Sequence, residues 1–426
     1  MKLQSLTVKN FRGIEDITIN FHQRLNVFTG ANGSGKSSIL DCLAVLFSNC
    51  RPLTSDRLSF EDKDVRNNTS EISATIICKS IDKHYFISDI EHSKDKINSS
   101  FYETTTPNKP FQSSPQRPLS ELRESIGDRL DATINFPIVA YYPTKRSYID
   151  VPERIRGFRP SINQLDALDG ALSNDLDFRS FIARFRESES FWNSTNKNPT
   201  SNTTSTSQHW HTKQIEAVRN AINAFLPEFS EIHTEYKPFR IVINKSGNTL
   251  SMLQLSDGEQ CLVTMLGDLA QRLAMANPAL ENPLTGEGIV LIDEIDLHLH
   301  PKWQRMVIQK LLEVFPGCQF IISSHSPQIL SESPKECVFI LHHENNNTVC
   351  TKPEYAIGLD SSEILEALMG DSSQNKESTE LLNEIFELID DENFGDAKTK
   401  ITHYKNTYGR VPKIIKAETM IKLLAE

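Results

Sequence analysis

Apolar and polar residues alternate from Leu3 to Val8 and again from Ile17 to Phe21, the two-residue period of strands buried on one face. Ile72 to Cys78 and Lys83 to Ser88 flank Asp82 as a plausible hairpin, so a small antiparallel sheet is expected near the N-terminus. Other stretches are apolar throughout: Leu25 to Thr29, Ile138 to Tyr142, Gly288 to Ile292, Cys318 to Ser323 and Val338 to Leu341, which reads as the last strand. Such runs are strands covered on both faces, as in a parallel sheet. Phe239 to Asn244 and Thr249 to Leu253 pair around the turn Lys245-Ser246-Gly247-Asn248.

Helical spacing takes over elsewhere. It runs from Ser37 to Phe47, and from Ser161 to Glu189 with Leu165, Leu168, Leu172, Leu176, Phe181 and Phe185 on one face. Trp210 to Phe225 presents Ile215, Val218, Ile222 and Phe225. A helix opening at Leu255-Ser256-Asp257-Gly258-Glu259-Gln260 presents Cys261, Leu262, Met265, Leu266, Leu269 and Leu273, and another starts at Pro301 and runs through Phe315. Short helices are expected at Ser361 to Met369, Glu377 to Ile389 and Lys413 to Leu424. Glu91 to Leu119 is polar and aperiodic and reads as a long mobile surface loop; Asn193 to Ser207 is polar low complexity and reads as disordered. This divides the chain into an N-terminal lobe over 1–150, a helical insertion over 151–235, a C-terminal lobe over 236–345 and a helical tail over 346–426.

The strand Leu25 to Thr29 feeds Gly30-Ala31-Asn32-Gly33-Ser34-Gly35-Lys36-Ser37, the spacing of a phosphate-binding P-loop, and a helix follows. Its glycines let successive N–H groups converge on phosphates, and the helix N-terminus adds partial positive charge. Lys36 would reach the β- and γ-phosphates, and the Ser37 hydroxyl would ligate Mg²⁺. The strand ending in Asp293 and Glu294 supplies two acids, the first to hold Mg²⁺ beside Ser37 and the second to orient or deprotonate the attacking water. His325 follows another buried strand on the ligand side of such a sheet and would hydrogen-bond the γ-phosphate. Arg12, in the turn Lys9 to Gly13, stands either beside the phosphates or as a solvated turn residue. Ser256 and Glu259 have capping-box spacing. Tyr141-Tyr142-Pro143-Thr144-Lys145-Arg146 ends its strand with a basic turn, a candidate for nucleotide or nucleic-acid contact, with a solvated strand end as the alternative. His298 and His300 invite a zinc site, but no further ligand set completes it.

Composition narrows the picture. With 45 Lys and Arg against 56 Asp and Glu, the net charge of −11 argues against a surface that is basic overall, while leaving room for a local basic cleft. The seven cysteines form no CxxC pair and read as reduced core thiols of a cytoplasmic protein. No stretch reaches membrane-spanning length and no signal peptide precedes the first strand, so no membrane partner is expected.

Together these motifs resemble the ABC-type ATPase heads of the SMC, RecF and RecN group, and more closely the bacterial defence ATPases of the OLD-like (AAA-15) type. Leu6 to Gly13 looks like that group's opening, Gly30 to Ser37 its Walker A, Leu255 to Gln260 its signature, Asp293 and Glu294 its Walker B, Leu297 to His300 its D-loop and His325 its switch histidine. The Q-loop glutamine has no assignable counterpart. The resemblance implies an α/β fold: an ABC-ATPase head with a P-loop core sheet, a flanking antiparallel sheet, a short helical insertion and a helical tail. It implies that ATP and Mg²⁺ are held by Arg12, Asn32, Gly33, Gly35, Lys36, Ser37 and Ser38 of one subunit and covered by Ser256, Gly258 and Glu259 of another, in a homodimer or higher oligomer. Glu294, His325 and Lys36 would be its catalytic residues, and Ser37 and Asp293 its metal ligands. The tail shows no acidic metal cluster of the kind carried by OLD nucleases. The architecture looks most like the Septu defence ATPases of the PtuA type, including retron-associated ones. Those work with a separate HNH nuclease of the PtuB type, and nucleic acid would be contacted directly, through that partner or through a retron complex. A RecF-like repair clamp, a transporter-type subunit and a non-hydrolysing scaffold are the competing readings.

Overall fold

The computed structural model describes residues 1–50, 56–79, 85–93, 96–104, 133–144, 163–173, 179–197, 206–236, 239–345, 347–354, 361, 363–364 and 376–424. The chain divides into two compact units, Met1–Leu359 and Asp360–Glu426.

In the first unit, β1 (Lys2–Phe11) and β2 (Ile14–Asn20) form a hairpin across the Arg12-Gly13 turn. β3 (Leu25–Thr29) leads through the glycine-rich loop into helix α1 (Lys36–Ser48). β4 (Glu71–Lys79), β5 (Tyr85–Ser93) and β6 (Lys96–Thr104) complete an antiparallel sheet of order β2-β1-β4-β5-β6. β6 occupies part of the stretch whose polar composition predicts a loop. As the sheet's edge it exposes residues 97–100, with Ile97 55% exposed, so pairing to β5 does not require apolar residues there. Residues 105–119 of the expected loop lie outside the described residues.

β7 (Ile138–Tyr142) follows. The helix expected from Ser161 is instead a 3₁₀ turn, Gln164–Leu168, capped by Asn163, and Gly170 then takes φ +62°. Leu168 and Leu172 are buried without lying on one continuous helix. Helix α2 (Arg179–Lys197) starts later and runs into the stretch expected to be disordered; α3 (Thr206–Phe225) begins before that stretch ends. Residues 198–205 lie outside the described set.

A strand that the sequence pattern did not reveal follows: β8 (Phe229–Tyr236), paired to β9 (Phe239–Lys245), which pairs in turn to β10 (Asn248–Ser251). A bulge between Ser230 and His233, with Glu231 at φ +53°, breaks the two-residue period on which recognition of a strand depends. Helix α4 (Asp257–Ala276), β11 (Gly288–Ile292), α5 (Pro301–Val314), β12 (Cys318–Ser323), α6 (Pro327–Ser331) and β13 (Val338–Glu344) come next. β13 is not the last strand. The short, polar β14 (Asn347–Thr351) folds back on it antiparallel.

The core sheet has the order β14-β13-β3-β12-β11-β7, parallel apart from β14. Every residue of β3, β7, β11 and β12 is buried, which explains their unbroken apolar runs. Buried Gln319 ties this sheet to the antiparallel one, accepting the Leu3 N–H (2.7 Å) and donating to the carbonyls of Leu3 and His22 (2.9 Å each).

The second unit contains α7 (Lys376–Asp390), α8 (Phe394–Tyr408) and α9 (Pro412–Leu424). They share a separate core of Leu382, Ile385, Ile389, Ala397, Ile401, Tyr404, Ile414, Ala417 and Ile421. α8 is absent from the sequence reading because its buried face consists of only Ala397, Ile401 and Tyr404 amid polar residues. Most of the helix expected at Ser361 to Met369 lies outside the described residues.

Candidate nucleotide-binding site

The parallel register brings three strand ends level. Ile292 lies opposite both Tyr142 and Ile322, and Ser323 lies opposite Phe28. The residues that follow therefore meet at one edge of the sheet, where ligands of such sheets bind. They are Thr144 after β7, Asp293 and Glu294 after β11, His325 after β12, and the glycine-rich loop after β3.

That loop is built for an anion. Gly30 stands at φ +142°, and a Cβ there would lie 2.0 Å from the Leu341 carbonyl oxygen, so a side chain has neither the backbone conformation nor the room. Asn32 and Gly33 are exposed at the loop's crest. Gly35 precedes α1 at φ +102°, offers no side-chain cap, and no acid occupies the first turn. The first N–H groups of the helix thus keep their capacity for a bound anion. The ammonium of buried Lys36 donates to the carbonyls of Gly30 and Ala31 (2.9 Å each) and lies 3.4 Å from Ser34 Oγ. Burial lowers its pKa; Glu294, Asp293 and Asp296 oppose this in part. A buried cation folded onto loop carbonyls fits a group that turns to phosphate.

Ser37 Oγ donates to Asp293 Oδ1 at 3.1 Å, which joins the two segments expected to hold Mg²⁺ across 256 positions of sequence. Ser323 Oγ donates to the same oxygen at 2.5 Å and accepts the Glu294 N–H at 2.7 Å, and Thr144 Oγ1 donates to Asp293 Oδ2 at 2.7 Å. A carboxylate and a serine hydroxyl at the mouth of a phosphate loop form an oxygen donor set that fits Mg²⁺. Glu294, half-buried at φ +46°, follows directly. His325 donates its backbone N–H to Asp296 Oδ1 at 3.3 Å. Burial, then the nearby Lys36 charge, lowers the imidazole's pKa against the pull of Asp296, Glu294 and Asp293.

Arg12 is held by two carboxylates. Its guanidinium donates to Asp64 (2.9 Å), Asp41 (2.7 Å) and Ser38 (3.3 Å), and Tyr141 donates to the other Asp41 oxygen (2.9 Å). Burial lowers the Arg12 pKa, but its two carboxylate partners outweigh that and raise it. These contacts tie the turn of the first hairpin to α1, where Ser38 lies in the first turn directly after Ser37.

Ser256, Gly258 and Glu259 open α4. The capping box forms as the spacing predicts, with the Ser256 N–H on Glu259 Oε2 (3.0 Å). The second Glu259 oxygen accepts from Lys245. Burial raises the Glu259 pKa, but these hydrogen bonds hold it below the usual range. Both of its oxygens are thus engaged locally. A Cβ on Gly258 would lie 2.2 Å from the His298 carbonyl, so glycine lets the helix start close against the Leu297 to His300 loop. His300 caps α5, its Nδ1 accepting the Lys302 N–H at 3.2 Å.

Sequence reasoning missed Thr144, Ser323 and His343, whose Nε2 donates to the Gly33 carbonyl (3.0 Å). It singled out the Thr144 turn for its basic residues, but Lys145 and Arg146 lie outside the described residues. None of the seven cysteines is in a disulfide and six are buried, and burial pushes the Cys50 and Cys318 thiols up to about 12. Among the described residues no helix is long and apolar enough to cross a membrane.

Fold and site together define an α/β protein with a nucleotide-binding P-loop at the edge of a mostly parallel sheet. The family model described as "AAA domain, putative AbiEii toxin, Type IV TA system" matches residues 25–331, well over half of the chain, and the protein belongs to that family. It is 25% identical to the retron Vc95 probable ATPase of Vibrio cholerae serotype O1 biovar El Tor over 90% of this chain and 82% of that one. It is 26% identical to the retron Ec83 probable ATPase of Escherichia coli, over 92% and 81% of the two chains. It is 24% identical to the Septu protein PtuA of Bacillus thuringiensis, over 92% and 90%.

Proposed function

We propose that this chain binds and hydrolyses Mg²⁺-ATP as the regulatory subunit of a bacterial anti-phage defence complex. The observation that carries the ATPase reading is the meeting of Ser37, Asp293, Glu294 and Lys36 at one sheet edge, reached from two separate stretches of the chain. The loop N–H groups and Lys36 hold the phosphates. Ser37 and Asp293 would hold Mg²⁺, which would supply positive charge against the charge developing on the phosphate. Glu294 takes a proton from the attacking water, while His325 donates a hydrogen bond to the γ-phosphate.

The signature end of α4 completes the site from a second copy, with Ser256 and Gly258 facing the γ-phosphate. Ser256 is exposed at a helix N-terminus, as such a contact requires. ATP then joins two heads and hydrolysis releases them. The defence role and a separate HNH nuclease partner rest on the similarity to retron ATPases and PtuA. The tail unit docks that partner, and the complex works in the cytoplasm.

Glu294→Gln keeps the shape and removes the base, so ATP stays bound while turnover falls on the order of 10²–10⁴-fold. Purifying the chain with the product of its neighbouring gene, then assaying DNA and tRNA cleavage with and without ATP, tests the partnership. A bound HNH protein whose cleavage follows nucleotide state supports it. Lack of a partner, with ATP turnover stimulated by DNA, favours a repair clamp instead.

A further inference from the structure

Thr144 is two residues beyond the end of β7, and its hydroxyl donates to Asp293 Oδ2, the opposite oxygen from the one that Ser37 and Ser323 bind. The same strand end makes a second tie. Tyr142 donates its hydroxyl to Asp268 Oδ2 (3.0 Å), on the helix whose first turn carries Ser256 and Gly258. Asp268 is gripped by Arg184 of α2 (2.9 Å) and by Arg272 (2.7 Å), and Arg272 also donates to the carbonyls of Ala167 and Asp169 (2.9 Å each). Asp268, Arg184 and Arg272 are all buried, so this cluster moves as a block or not at all. Between the two hydroxyls stands Pro143, whose ring fixes φ and stiffens the link.

We infer that Thr144 is a positioning residue for the Asp293 carboxylate, and that the end of β7 couples the placement of α4 to that carboxylate. The inference rests on the Mg²⁺-ATP reading above. A carboxylate held on both oxygens presents a fixed lone pair to a metal; without the Thr144 donor it rotates about its Cβ–Cγ bond and must be ordered on binding.

The test is binding of a fluorescent ATP analogue (mant-ATP) to the full-length chain, in EDTA and across a MgCl₂ titration. Wild type is compared with Thr144→Val, Thr144→Ser and Tyr142→Phe. In Thr144→Val the EDTA affinity stays at the wild-type value while the Mg²⁺ concentration for half-effect rises about 10–100-fold, the usual cost of losing a partner of a metal ligand. Thr144→Ser restores the wild-type Mg²⁺ dependence, and Tyr142→Phe shifts it in the same direction as Thr144→Val by a smaller factor. A Thr144→Val variant with wild-type Mg²⁺ dependence, or one weakened equally in EDTA and Mg²⁺, overturns the positioning role and leaves the ATPase reading standing. Unchanged Mg²⁺ dependence in Tyr142→Phe overturns the coupling to α4. A wild-type chain that binds mant-ATP in neither condition removes the reading and the inference together.

Discussion

Two glycines show how single residues hold this site open. Gly30 meets the Leu341 carbonyl and Gly258 meets the His298 carbonyl, both backbone atoms that cannot swing aside. Gly30→Ala is expected to distort the phosphate loop and abolish nucleotide binding. Gly258→Ala is expected to push the start of α4 off the Leu297 to His300 loop and to cost about 1–3 kcal/mol in a urea melt. A histidine outside the site gives a further residue-scale prediction. Buried His211 packs flat on Phe191 (4.3 Å between ring centres) and touches Ser188 Oγ at 3.1 Å, and among the described residues its Nε2 has no partner. Because the Ser188 hydroxyl donates to Gln214, the His211 contact is made by an Nδ1–H donor, and the ring is neutral. Burial lowers its pKa from 6.5 to about 4. An unfolded chain protonates this ring where the folded chain does not. The stability it contributes is therefore complete above about pH 6.5 and is lost as pH falls towards 4. Thermal melting should show a drop between pH 7 and pH 5 that is smaller in His211→Gln; an equal drop in both would contradict this assignment.

At the scale of elements, the sequence was most legible where geometry restricts residue choice. Glycines at positive φ, a strand buried on both faces and a capping box each demand particular residues at fixed spacing, so β3, the phosphate loop, β11 and the start of α4 could be read directly. Thr144 and Ser323 could not. A hydroxyl has no pattern of its own, and these two reach Asp293 only because β7, β11 and β12 are neighbours in the sheet. β6 and β8 were hidden for other reasons, one a polar edge strand and the other carrying a bulge. The Asp268 cluster was equally invisible, since buried ion pairs look like surface charges in a sequence. Burial raises the Asp268 pKa, but Arg272 and Arg184 outweigh it and hold the carboxyl below its usual range. Asp268→Asn removes the charge that both guanidiniums share, and the expected loss is about 3–5 kcal/mol by chemical denaturation. A loss below about 1 kcal/mol would mean that α2 and α4 are not held together by this cluster.

For the whole molecule, the proposed function leaves a single head short of a complete site. The phosphate loop, Asp293 and Glu294 gather at a single sheet edge, while Ser256 caps the start of α4 and Gly258 packs there against the His298 carbonyl. The tail unit carries a separate apolar core, and its charge is divided: α7 carries acids at 377, 380, 384, 387 and 390, whereas α8 and α9 carry lysines at 398, 400, 405, 413, 416 and 422. A chain ending at residue 359 is accordingly expected to keep ATP turnover and to lose the partner protein.

The composite site is tested most directly by mixing two inactive chains. Lys36→Ala lacks the phosphate cation, and Ser256→Arg blocks the signature end; each is expected to be folded by circular dichroism and inactive alone. Mixed in equal amounts, they should recover about a quarter of wild-type ATP turnover, from the one intact site in each of the half of dimers that pair unlike chains. A mixture as inactive as its parents, or a Ser256→Arg chain fully active alone, would contradict a site shared between two copies.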